Sequence, residues 1–181
     1  MTLRFLGIAG SLRQKSTNKG LLRAAAANLP AGVSMEIADL SDVPFYNGDI
    51  TEKPASVLRV FEQIRQADAL VLACPEYNYS IAPALKNIID WASREQGNPL
   101  LGGKAAAIMG SGGGMGTARA QYHLRQVGVF VDLRFLNKPE VFANAFTGGF
   151  DADGNLTDAK VIQTVADQMK ALQALTLQLR K

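Results

Sequence analysis

Three consecutive stretches decide the fold: Leu3-Arg-Phe-Leu-Gly-Ile-Ala9, then Gly10-Ser-Leu-Arg-Gln-Lys-Ser-Thr-Asn18, then Leu21-Leu-Arg-Ala-Ala-Ala-Ala-Asn-Leu29. The first is an almost unbroken apolar run, the mark of a strand buried on both faces. The second opens on glycine, is rich in hydroxyls and reads as a loop. The third is mostly Leu and Ala, residues that lose little entropy in a helix. A strand buried on both faces, feeding a loop and then a helix, is the opening unit of a parallel α/β sheet.

The same alternation continues outward. Val33–Leu40 reads as a second strand, followed by Asp42-Val-Pro-Phe-Tyr-Asn-Gly-Asp49, a loop punctuated by Pro and Gly. Pro54 suits a helix start, and Val57, Val60, Phe61 and Ile64 follow at i, i+3, i+4 and i+7. Ala67–Ala73 reads as the third strand, Ile81–Arg94 as a helix and Ala105–Met109 as the fourth strand. Thr117–Gln126 then reads as a helix and Val129–Leu136 as the fifth strand. Val161, Val165, Met169 and Leu172 mark a final helix, capped near Thr157. Five strands alternating with five helices predict a doubly wound three-layer sandwich around a five-stranded parallel sheet. One domain is expected over residues 1–181; the glycine-bearing stretch Ala143–Asn155 is too short to separate two.

Composition narrows the chemistry. The chain has one cysteine, Cys74, and one histidine, His123, so neither an internal disulfide nor a Cys/His zinc site can be assembled. Cys74 ends an apolar strand and reads as a small buried residue rather than a nucleophile. His123 has no carboxylate partner in sequence and reads as a surface or interface residue. The net charge of +3 comes from scattered residues, with no basic run of the kind that binds nucleic acid. No window approaches the roughly 20 apolar residues of a membrane span, and no secretory signal pattern is present. A soluble chain in a reducing, cytoplasmic setting is expected.

In open parallel sheets, ligands bind outside the carboxyl ends of the strands. Three loops there have unusual compositions. After the first strand, Ser11, Ser16, Thr17 and Asn18 lead into a helix N-terminus, where N–H groups and the positive dipole end favour an anion such as phosphate. The plainer reading, an N-cap, accounts for one of these residues and not for four. The Gly-Lys-Ser/Thr ending of a nucleoside triphosphate loop is absent. After the third strand comes Cys74-Pro-Glu-Tyr-Asn-Tyr-Ser80, whose aromatics and amides suit a planar polar ring, or simply cap the core and the next helix. After the fourth comes Gly110-Ser-Gly-Gly-Gly-Met-Gly116, which allows backbone to approach a flat ligand closely. Gly112-x-Gly114-x-x-Thr117 with Asp132 is a near-miss for a dinucleotide fingerprint, lacking its third glycine.

The helix over Ile81–Arg94 carries Lys86, Asn87, Asp90 and Arg94 on one stripe and apolar residues, Trp91 among them, around the rest. One face covers the sheet. The remainder calls for another partner, and a homodimer is expected on that ground.

Taken together, Gly10-Ser-Leu-Arg13 with Ser16 and Asn18, Pro75-Glu-Tyr-Asn-Tyr-Ser80, and Leu85-Lys-Asn-Ile-Ile-Asp-Trp-Ala-Ser-Arg94 resemble the NAD(P)H-dependent FMN reductase family. Gln121-Tyr-His-Leu-Arg-Gln126 and Asn137-Lys-Pro-Glu140 are similar to its soluble quinone and chromate reductase branch. The resemblance implies a flavodoxin-like fold, bound FMN, NADPH or NADH as electron donor, and a homodimer or homotetramer. By position, Ser11, Arg13, Ser16 and Asn18 would hold the FMN phosphate. Pro75, Glu76, Tyr77 and Asn78 would line the flavin edge, with Ser111 and Gly112 against the ring. Tyr79, Arg119 and Tyr122 would border the substrate cavity or the subunit contact.

The implied activity is ping-pong: hydride passes from nicotinamide to flavin N5, and two electrons then pass to a quinone. Chromate, azo and nitro reduction are implied as side activities, and no side chain is required as a general base. Two alternatives stay open: reduction of free flavin as substrate, and a flavodoxin-type electron carrier. The carrier is disfavoured by the charge, because such carriers dock through acidic faces. An α/β module with a vestigial pocket is the non-catalytic alternative.

Overall fold

Successive strand side chains point to opposite faces, and in this chain both sets are apolar. The computed structural model describes residues 2–180. β1 (Leu3–Ala9) is followed by α1 (Thr17–Ala27), β2 (Val33–Ala38), α2 (Ala55–Gln66) and β3 (Ala69–Ala73). A small antiparallel hairpin, β4 (Glu76–Tyr77) and β5 (Ser80–Ile81), then precedes α3 (Pro83–Ala92). β6 (Ala105–Gly112), α4 (Ala118–Phe130), β7 (Arg134–Phe135), β8 (Val141–Asn144) and α5 (Ala159–Leu179) complete the order. The main sheet runs β2-β1-β3-β6, all parallel, and its fifth position is shared: β7 pairs with the start of β6 and β8 with its end.

The register places Phe5, Ala69 and Ala105 side by side, and Leu6, Leu70 and Ala106 next to them. Phe5, Ala69, Val71, Ala73, Ala105 and Ala107 pack with α1 and α5 through Leu21, Leu22, Val165, Met169 and Leu172. Leu6, Ile8, Leu70, Leu72 and Ile108 pack with α2, α3 and α4 through Val60, Phe61, Leu85, Ile88 and Leu124. The doubly wound sandwich therefore has two cores, and all its βα loops open at one end of the sheet.

Two expectations about elements fail, each for a packing reason. Val129–Leu136 is not a strand. Its first residues are the last turn of α4, and β7 keeps only Arg134 and Phe135. Gly128 lets Phe135 lie on the helix, since a Cβ there would sit 1.9 Å from the ring. Val129 and Phe130, 82% and 80% exposed, face away from both cores. The rest of the fifth position is β8, which is not among the expected strands and runs into the start of the Ala143–Asn155 stretch.

Trp91 likewise needs no second subunit. It is 2% exposed, covered by the 42–49 loop of its own chain. Its indole N–H donates to Pro44 O at 2.9 Å, and Tyr46 meets it edge-on at 5.1 Å. Asn87 fastens the same loop, accepting from Tyr46 N–H and donating to Pro44 O, both at 2.8 Å.

Candidate functional site

Backbone leaves the sheet at Gly10, whose N–H donates to Ala73 O at 2.9 Å. No side chain fits there: a Cβ would lie 2.8 Å from the Pro75 ring. The following loop folds onto the N-terminus of α1, where Ser16 is the N-cap and accepts from Lys19 N–H. Ser11 and Ser16 are buried; Arg13 is exposed and enters no ion pair among the described residues. This one loop thus carries free helix N–H groups, two hydroxyls and a guanidinium without an ion-pair partner, a donor set that favours an anion at the α1 N-terminus.

Asn18, in the first turn of α1, turns its side chain to the end of β6. Its Nδ2–H donates to Ser111 O at 2.8 Å and its Oδ1 accepts from Ser111 N–H at 3.0 Å, both buried. The amide thus ties the loop after β1 to the end of β6.

β4 and β5 form a hairpin across the carboxyl end of β3. Its two-residue turn, Asn78 and Tyr79, is left-handed at both positions (φ 49° and 67°), as a tight hairpin turn demands. A tyrosine there is strained relative to glycine. Tyr79 is 65% exposed, and the Arg119 guanidinium stacks on its ring at 3.6 Å. Arg119 also donates from Nε to Glu76 Oε1 at 2.6 Å, while Glu76 Oε2 accepts from Ala120 N–H at 3.3 Å. The Glu76 carboxylate thereby sits on the positive end of α4, and this hydrogen-bonded ion pair pushes the Arg119 pKa above its usual value. Ser80 Oγ lies 3.1 Å from His123 Nδ1, so α4 pins the hairpin at two points.

At the end of β6, Gly112 is forced by packing, since a Cβ would lie 2.2 Å from Gly116 O. Gly113 and Gly114 are not: a Cβ at either meets nothing within 4 Å. They leave a flat, open edge of backbone. Next to it Ser111 Oγ, one of five buried side-chain polar atoms without a hydrogen-bond partner among the described residues, is placed where a bound polar group would make good the deficit.

Two cavities flank the hairpin. One, about 420 Å³, is polar and lined by Glu76, Asn78, Tyr79, Gly113, Gly114 and Arg119. The other, about 320 Å³, is mostly apolar and includes Leu12, Arg13, Val43, Phe45, Tyr77 and Pro83. Tyr79 and Arg119 line the polar one. Tyr122, on the outer face of α4, lines neither.

Pro75 is buried behind Gly10. Cys74 is buried too, and desolvation pushes its thiol up to about 12, which leaves it protonated and inert. Among the described residues no cluster of His, Cys, Asp and Glu forms a metal site. Asp132 is not in a strand but in a left-handed turn, accepting from Gly103 N–H ahead of β6. That puts it at the opposite end of the sheet from the glycine loop, so the dinucleotide fingerprint has no ribose partner there. Sequence reasoning missed the Asn18–Ser111 tie and the Glu76–Arg119 pair, because each joins residues far apart in the chain.

A doubly wound sheet with an anion loop after its first strand and a planar-ring cradle after its third and fourth defines the flavodoxin-like flavin-binding class. The family model for NADPH-dependent FMN reductase matches residues 3–148, and the chain belongs to that family. It is 49% identical over 180 residues to an NAD(P)H-dependent FMN reductase of Pseudomonas aeruginosa, covering 98% of this chain and 97% of the relative. It is 37% identical to a quinone reductase of Escherichia coli strain K12, with 93% of each covered. The solved structure of FerB, a flavoenzyme NAD(P)H:(acceptor) oxidoreductase from Paracoccus denitrificans, superimposes with a TM-score of 0.87 at 30% identity, over 98% of both chains. The chain is an FMN-containing, NAD(P)H-dependent oxidoreductase with a flavodoxin-like fold.

Proposed function

We propose that this protein is an NAD(P)H:quinone oxidoreductase that keeps FMN bound and works by alternate entry of donor and acceptor. Bound FMN supplies two-electron redox chemistry that no side chain of this protein performs. Ser11, Arg13, Ser16 and the α1 N-terminus hold its phosphate, and Asn18 fixes that loop against β6. Pro75 to Asn78, Ser111 and Gly112 border the ring. Tyr79 and Arg119 orient a planar acceptor at the polar cavity, offering a ring face and a cation to its carbonyl oxygens. The observation that carries this reading is the unpartnered Ser111 hydroxyl, on a residue whose backbone Asn18 ties to the anion loop beside the open glycine edge.

Quinones enter this reading through the relatives whose names include them, such as the Escherichia coli quinone reductase and an Arabidopsis thaliana NADPH:quinone oxidoreductase at 43% identity. Chromate, azo and nitro compounds are proposed as slower acceptors, since reduced flavin is an unselective donor. A second reading, reduction of free FMN, is favoured by the name of the Pseudomonas aeruginosa relative. The proposal extends to a cytoplasmic setting, which the single buried cysteine suits, and to a homodimer or homotetramer. With Trp91 satisfied internally, its support is instead the exposed Tyr122, Val129 and Phe130 of α4.

Purified protein assayed with both nicotinamides, several quinones and free FMN tests the reading. A yellow protein bleached by NAD(P)H and reoxidised by quinone is expected. A colourless protein that takes up no FMN overturns it, and turnover only with added FMN selects the second reading.

A further inference from the structure

The family match ends at residue 148, and none of the flavin motifs lies beyond it. The segment that follows nevertheless packs against the rear of the anion loop. Residues 151–155 form a tight turn that holds itself together. The Asp151 carboxylate accepts from Asp153 N–H (2.9 Å), Asn155 N–H (2.8 Å) and Asn155 Nδ2–H (3.0 Å), and Gly154 N–H returns to Asp151 O at 3.0 Å. These bonds, first those from Asn155, hold the Asp151 carboxyl below the usual carboxylate range.

Gly154, buried and left-handed (φ 76°), meets the chain at Lys15 and Ser16 without room for a side chain. A Cβ on it would lie 2.7 Å from Lys15 O, and a Cβ on Gly20 would lie 1.8 Å from Gly154 O. Arg23, one turn further along α1, donates from Nε to Asn155 Oδ1 at 2.7 Å. The Lys15–Asp153 ion pair at the rim is exposed and adds little. Two facing glycines and the Arg23 bonds, to Asn155 Oδ1 and at 3.4 Å to Asp153 O, therefore fix the backbone of the loop from behind.

We propose that the 151–155 turn is a backstop that sets the shape of the FMN phosphate loop, making Gly154 and Asn155 positioning residues for the cofactor although neither touches it. The inference rests on the proposed placement of the phosphate at Ser11–Ser16. Loop amides pre-set for the anion bind it without an ordering cost, so loosening the backstop weakens phosphate recognition and leaves ring recognition alone.

The test compares FMN with riboflavin, which lacks the phosphate. Full-length protein freed of flavin is titrated with each, following flavin fluorescence, as wild type, Asn155→Ala and Gly154→Ala. Loss of roughly 1.4 kcal/mol of preorganisation corresponds to about a tenfold weaker FMN affinity in Asn155→Ala, more in Gly154→Ala, with riboflavin affinity within about twofold of wild type. Variants that keep the wild-type preference for FMN, or that lose FMN and riboflavin affinity in parallel, overturn the backstop. Wild-type protein that binds riboflavin as tightly as FMN instead overturns the phosphate placement on which it stands. Asn155→Ala introduces no clash, and it decides the matter if Gly154→Ala does not fold.

Discussion

Asn18 shows how one side chain joins two loops that are far apart in sequence. It is buried, and both ends of its amide are used by the Ser111 backbone. Asn18→Ala strands a buried N–H and a buried carbonyl, which costs about 1–3 kcal/mol. A denaturant melt of the flavin-free protein should show that loss, together with weaker FMN binding. Cys74 illustrates the opposite, a residue whose environment removes its chemistry. Its folded pKa, about 12, lies above the ordinary value of 9.0, so its contribution to stability is complete below pH 9 and is lost as pH rises from there towards 12. Native protein at pH 8 should leave a thiol-specific disulfide reagent unreacted until it is unfolded, and Cys74→Ala should flatten the alkaline loss of stability. Fast titration of native Cys74 at pH 8 would contradict its burial.

At the scale of elements, the hairpin and the 42–49 loop are walls of the two cavities. Tyr79 occupies a left-handed position that costs a bulky residue on the order of 1 kcal/mol, while its stacking with Arg119 returns about 0.5–1 kcal/mol. The two nearly cancel. Tyr79→Gly should therefore leave the melting temperature almost unchanged while raising KM for quinones, and a large drop in stability would show that the stacking dominates. The other wall hangs on Asn87. Asn87→Ala removes both of its bonds to the loop, leaving the Trp91 indole as the remaining side-chain tie to Pro44 O, so hydrogen exchange should accelerate at Tyr46. Neither wall was legible as such in the sequence. The Pro-Phe-Tyr-Asn-Gly run reads as loop, but nothing local says that it closes over Trp91. The Val129-Phe-Val131 run that opens the expected strand, β-branched and aromatic, favours a strand by propensity. Helix won because Phe135 packs onto Gly128, a contact that no window of neighbouring residues contains.

Across the whole molecule, the surface left by these packings bears on assembly. With Val129 and Phe130 outside both cores, Phe130→Glu should leave the fold within about 0.5 kcal/mol of wild type yet break the proposed oligomer. Sedimentation at micromolar concentration checks this, and a monomeric wild type refutes the assembly itself. The sequence alone determined the layered α/β architecture, because apolar runs of strand length buried on both faces admit only a covered parallel sheet. It also determined that the three loops singled out share one end of the sheet, because parallel strands deliver every βα loop to the same edge. Tertiary structure decided the rest: that Asn18 serves the end of β6, that Glu76 turns to Arg119, that Trp91 is covered within its own chain, and that residues 151–155 stand behind the anion loop. Each of those depends on pairs separated by dozens of residues. Their meeting is set by how helices and loops pack on the sheet, and local composition carries no record of it.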